Sequence, residues 1–288
     1  MNFPSILFPV DLSEQCRQAA RHVKALADRF NSEILLLHIV EPPMRWSGFP
    51  ESEGREAIEG VDLREMAREE FRRFLPGAFN GLTIHRVLAE GDPAQQIACH
   101  ARKNRTSLIM LPTHGWGTFR GALLGSVTAK VLHDAECPVW TGVHRPEWSM
   151  HPPGRWRKIL CAVDTLPKDC RTIRAVVDLA ASSGAEVQLV HAVGTMPQDC
   201  TVYAGEPLER CLLRAATLQL DKLQEQAGTR LEAKVKEGST ATVVRDGARE
   251  WNADLVVVGR GAIQKPLGRL RSKAYAIIRE SPCPVISI

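Results

Sequence analysis

At 288 residues, 44% of them hydrophobic and 24% charged, the chain is longer than a usual single domain and has the composition of a globular protein. A formal charge of +4, with no block of like charge, argues against a nucleic-acid partner. No apolar run approaches the ~18 residues a membrane helix needs, and "MNFPSILFPVD" lacks the basic-then-apolar order of a signal peptide.

In chain order, the first half is predicted to carry strands near 4–10, 33–40, 82–89, 107–112 and 138–143. Helices are predicted between them near 13–30, 55–75, 93–104 and 125–134. Segments such as "ILLLHIV" and "LIMLP" are apolar almost throughout, as expected of parallel strands covered by helices on both faces. The segment "REMAREEFRRF" reads as a solvated helix face backed by Met66, Phe71 and Phe74. Trp46, in the irregular "EPPMRWSGFPESEGRE", is either a pocket-mouth or partner-surface residue or simply packs on its own domain. In the second half, the helix of Leu208 to Gln226 is amphipathic and core-facing.

The chain is written twice. "ILFPVDLS" returns as "ILCAVDTL", and "EILLLHIV" as "EVQLVHAV", both at an offset of 153 (164 − 11 and 191 − 38). "LAEGDPA" returns as "VKEGSTA" at 147 (238 − 91), and Cys137-Pro138-Val139 as Cys283-Pro284-Val285 at 146 (283 − 137). An offset that is constant in pieces marks duplication with small deletions. The expected architecture is two α/β domains, residues 1–145 and 155–288, joined by a proline-rich linker at 146–154.

The stretch "LPTHGWGTFRGALLGSVTAKVLHDAECPV" combines a buried strand, a glycine-rich loop and a Gly125-Ser126 corner that opens a helix. Free N–H groups at a helix start, next to glycines that admit close approach, suit an anion. No Gly-Lys-Ser/Thr is present, so this is not a Walker A loop.

With these motifs in order in both halves, the chain resembles the universal stress protein family in its tandem form. The resemblance implies two doubly wound, parallel five-stranded sheets of strand order 3-2-1-4-5, of the adenine-nucleotide α-hydrolase-like kind. It implies ATP or AMP in the first half, with Mg²⁺ arriving only with ATP. Carried over, Asp11, Pro9 and Val10 face the ribose and adenine, and Ile39 meets the adenine beside Leu111. Gly115, Gly125, Ser126 and Val127 hold phosphates. Pro112 departs from the family pattern, because it stands at the first loop glycine and lacks an N–H. The second-half equivalents are Asp164, Gly259, Gly261 and Ser272, with Arg271 in place of the glycine before the serine.

The edge strands "PVWTGV" and "PVISI" are expected to pair antiparallel within the chain, an internal counterpart of the family dimer, with a further homodimer compatible. His38 and His191 read as structural. His114 is expected to be a loop residue bonded locally rather than a catalytic one, and no histidine spacing suggests a metal. Eight cysteines without CxxC spacing point to reduced thiols and a cytoplasmic protein. Cys16 and Cys170 lie early in helices, where a lowered thiol pKa would suit redox sensing and packing is the plainer role. The function expected is a nucleotide-binding regulatory or stress-response protein acting through protein partners. The alternatives are a ligand-free scaffold and a slow ATPase for which the sequence offers no catalytic residue.

Overall fold

A computed structural model describes residues 1–41, 63–113, 124–143, 154, 156–167, 169–195, 202–203, 206–259 and 269–288. Trp46, His114, Gly115, Gly261 and the linker at 146–153 lie outside the described residues.

The first half runs β1 (Ser5–Val10), α1 (Glu14–Phe30), β2 (Glu33–Val40), α2 (Leu63–Arg73), β3 (Ile84–Glu90), α3 (Pro93–Lys103), β4 (Leu108–Leu111), α4 (Ser126–Asp134) and β5 (Val139–Thr141). The second runs β6 (Lys158–Ala162), α5 (Asp169–Ser183), β7 (Glu186–Val193), a short ribbon of β8 (Val202–Tyr203) and β9 (Glu206–Pro207), then α6 (Leu208–Ala227) and β10 (Glu232–Glu237). It closes with α7 (Thr240–Glu250), β11 (Leu255–Val258), α8 (Arg269–Glu280) and β12 (Val285–Ser287). Each half has the expected 3-2-1-4-5 order, and β5 and β12 pair antiparallel, so the halves share one ten-stranded sheet.

Strand alternation divides the core between the two faces. Ile6, Phe8, Ile34, Leu36, Leu108 and Met110 pack under α1, whereas Leu7, Leu35, Leu37, Ile109 and Leu111 pack under α3 and α4. The second half continues both layers. The caps repeat as the sequence does: Asp92 and Ser239, at offset 147, cap α3 and α7 by accepting N–H bonds from Gln95 and Thr242. Before each cap stands a glycine, Gly91 (φ 126°) and Gly238 (φ 140°), in backbone that side chains avoid. Their N–H groups close the loops onto Val40 and Val193.

A pseudo-two-fold axis passes between β5 and β12. Trp140 faces Ile286, its own counterpart at 286 − 140 = 146. The Thr141 hydroxyl donates to the Val285 carbonyl and the Ser287 hydroxyl to the Val139 carbonyl, both at 3.3 Å, a reciprocal pair under the same offset. On one face Arg29 donates to the carbonyl of Ser182 (182 − 29 = 153), and on the other Tyr275 donates to that of Ala129 (275 − 129 = 146). Only residues on a two-fold axis can touch their own counterparts, so these contacts locate it.

One sequence expectation is corrected here. Met66 is 61% exposed, while Phe71 and Phe74 are buried. The helical stripe runs Ala67, Phe71, Phe74 (i, i+4, i+7), which leaves Met66 beside it.

Candidate functional site

In a 3-2-1-4-5 sheet the crossovers reverse direction between the first and fourth strands, and a crevice opens where those strands end. In the first half that crevice lies between β1 and β4. Their ladder pairs only Ile6 with Leu108 and Leu7 with Ile109. A further pair, Phe8 with Met110, would need an N–H at residue 9, and Pro9 has none. Proline at this point therefore ends the β1–β4 ladder two pairs in, and Pro9, Val10 and Asp11 follow where it stops.

The turn beyond β1 is held tightly. Leu12 adopts φ 65°, unusual for a branched side chain, and its counterpart Thr165 adopts φ 62° at offset 153. Asp11 Oδ1 accepts from the N–H of Ser13 at 3.0 Å and from the Cys16 thiol at 3.1 Å. Ser13 in turn caps α1 by accepting from the Cys16 N–H. Burial, and the Asp11 carboxylate beside it, push the Cys16 thiol up to about 12. A helix N-terminus alone would lower it, so the redox-sensing role is replaced by a packing one.

From β2, the His38 ring bonds the Val10 carbonyl through Nδ1 at 2.8 Å, and His191 bonds Val163 identically. Both histidines thus tie the end of the second strand to that of the first, a structural role in each half. Ile39, Leu111 and Val127 pack together against the core layer beneath α3 and α4.

The Gly125-Ser126 corner closes the site from α4. Gly125 is the N-cap, with φ −55° and ψ 140° and no side-chain cap. Helix geometry leaves the N–H groups of Ser126, Val127 and Thr128 without intrahelical acceptors, and the positive end of the helix dipole gathers there. The Gly125 N–H, read from the sequence as an anion donor, is instead committed to the Thr113 carbonyl at 3.1 Å. The Thr128 hydroxyl donates to the Pro112 carbonyl at 3.2 Å, so Pro112 serves the corner through its oxygen. Three first-turn donors and the exposed Ser126 hydroxyl suit a phosphate, and the Asp11 carboxylate at the end of β1 is of the kind that takes ribose hydroxyls; in this respect the residue types fit a nucleotide.

The second half keeps the histidine tie and the positive-φ turn but differs at the ladder, the helix start and the surroundings of the carboxylate. β6 and β11 stay paired for four residues, from Ile159–Leu255 to Ala162–Val258. Ala162, the counterpart of Pro9 (162 − 9 = 153), supplies the N–H that proline lacks. Helix α8 starts at Arg269, so Ser272 falls inside its first turn rather than at its start, and the N–H expected to hold phosphate is turned into the helix. Lys273, the counterpart of Val127 (273 − 127 = 146), places Nζ 3.4 Å from Asp164 Oδ1. Gly259 closes against α5: a Cβ there would lie 2.9 Å from the Thr172 hydroxyl. The buried Asp169 carboxylate accepts from the N–H groups of Asp164 and Leu166. The pocket between Asp164, Asp169, Gly259, Lys273 and Ile277 holds about 40 Å³. Sequence reasoning missed Lys273; the Val-to-Lys difference between the repeats was the available signal.

Among the described residues no group of three His, Cys, Asp or Glu could hold a metal, and no helix is long and apolar enough to cross a membrane.

A model of the universal stress protein family matches residues 2–141 and again 155–288. Over 138 residues, 48% of this chain and 80% of the relative, the sequence is 31% identical to a universal stress protein of Methanocaldococcus jannaschii. Over 138 residues, 48% of this chain and 96% of the relative, it is 33% identical to one of Thermus aquaticus. The crystal structure of a universal stress protein from Archaeoglobus fulgidus superposes with a TM-score of 0.65 at 20% identity, covering 98% of this chain and 95% of that one. That likeness carries the fold across both halves.

Proposed function

The chain belongs to the universal stress protein family, and from that premise we propose that its first half binds an adenine nucleotide, ATP or AMP, in the crevice between β1 and β4. The protein then acts as a cytoplasmic regulatory protein whose protein contacts respond to the ligand. Asp11 takes the ribose hydroxyls, Ile39 and Leu111 bound the adenine beside Pro9 and Val10, and Ser126 and Val127 hold phosphate at the start of α4. Gly115 belongs to the same loop. Mg²⁺ enters with ATP, bound by its phosphates. No residue is assigned to catalysis, and the regulatory partners are proteins.

The observation that carries this reading is the end of the β1–β4 ladder at Leu7 and Ile109, together with an α4 start whose first N–H groups lack intrahelical acceptors. A second reading, a scaffold without ligand, draws support from the Gly125 N–H being spent on Thr113 and from Pro112 having none to offer. Gly125→Asp separates the two. Aspartate favours the N-cap position, so α4 keeps its start, while the carboxylate repels phosphate. The expected result is loss of Mg-ATP binding with unchanged circular dichroism. Unchanged affinity would refute the phosphate assignment, and absence of binding in the unmodified protein would favour the scaffold.

A further inference from the structure

We propose that the second crevice is closed from within, so that the two halves of a duplicated chain have divided their roles. One half keeps an opening for ligand, and the other has sealed its own. This inference rests on the nucleotide reading of the first half only in naming what the second has lost.

Three independent features point the same way. The first is the ladder. In the first half the ladder stops at Leu7 and Ile109, whereas here the strands stay paired to their last residues, Ala162 and Val258, at the ends where a ligand would sit. The difference traces to one residue, because the N–H that proline removes at position 9 is restored by alanine at 162. The second is the helix. By starting at Arg269, α8 sets Ser272 one turn deep, and its N–H is spent on the helix itself. The third is the latch. Lys273 extends from α8 to Asp164, the carboxylate that corresponds to Asp11. Its side chain is 54% exposed, so the ion pair adds little to stability. Its importance is positional: the ammonium stands where a ribose would meet the carboxylate. The remaining space, about 40 Å³, is far below the roughly 300 Å³ at which small-molecule sites begin.

The alternative use of Lys273 is as a phosphate ligand. Geometry argues against it, since the ammonium is directed at the carboxylate and the strand ends leave no room for a sugar and base beside it.

Hydrogen exchange on the full chain, with and without millimolar Mg-ATP, reads the two crevices separately. The expected result is no ligand-dependent slowing in segments 158–167 and 273–280. Slowing there in the unmodified protein would overturn the proposal. The double variant Ala162→Pro, Lys273→Val restores the first half's residues and should gain at least a fivefold slowing in both segments. A folded double variant that stays silent would refute the closure mechanism. If that variant does not fold, Lys273→Val alone changes a half-exposed side chain and should gain at least twofold; silence there would refute the latch. Segments 5–13 and 124–134 report on the first half in the same spectra, so failure of the nucleotide reading shows up separately from failure of this one.

Discussion

Gln188 lies on β7 at 1% exposure, and neither its Oε1 nor its Nε2 has a hydrogen-bond partner. Its counterpart in the first half is Leu35 (188 − 35 = 153), buried in the layer beneath α3. The duplication therefore supplies its own control, since the same fold accepts leucine at this place. An unsatisfied buried polar group costs about 1–3 kcal/mol. Gln188→Leu removes two such atoms at nearly constant volume and should stabilise the protein by about 2 kcal/mol. At roughly 2 °C per kcal/mol for a chain of this size, the melting temperature should rise by ~4 °C. The assay is urea unfolding followed by tryptophan fluorescence, with a calorimetric melt alongside. An unchanged or lowered midpoint would refute the argument, and would mean that a buried water satisfies the amide or that α7 packs too closely over β7 for leucine.

Two further outcomes follow from buried titratable groups. His22 packs against Trp140 at 5.1 Å between ring centroids, and burial pushes its pKa from 6.5 down to about 4. Because the folded value is depressed, the neutral ring's contribution is complete above pH 6.5 and is lost as pH falls through 4, a swing of about 3 kcal/mol. His22→Phe should flatten that part of the stability curve relative to the unmodified protein; parallel curves would show that His22 is solvated. Cys16, with its thiol near 12, should resist alkylation at pH 8 while the exposed Cys99 reacts, as read by peptide mass spectrometry. Equal labelling would show that the Asp11 turn opens readily.

Much of the fold was legible because the repeat constrains it from two directions. The offsets of 153 and 146 returned as physical contacts, in Arg29 with Ser182 and Trp140 with Ile286, since counterparts meet on a two-fold axis. The apolar strands and the Gly91 and Gly238 loops were equally readable. The asymmetry of the sites was less so. Arg271 was visible as a lost glycine, but its consequence is that helix formers carry α8 a turn further back, an effect of propensity over several residues. Pro9 drew notice as a possible contact for adenine, whereas in the structure it acts through the hydrogen bond it cannot make. That role depends on which strand lies beside it, and spacing along one chain does not report this. Lys273 became meaningful only once Asp164 was found within its reach.

Calorimetric titration of the intact protein with Mg-ATP tests most directly whether one half binds and the other does not. The predicted result is one site per chain, lost in Asp11→Ala and kept in Asp164→Ala. Two sites per chain, or a single site that disappears with Asp164→Ala instead, would contradict it.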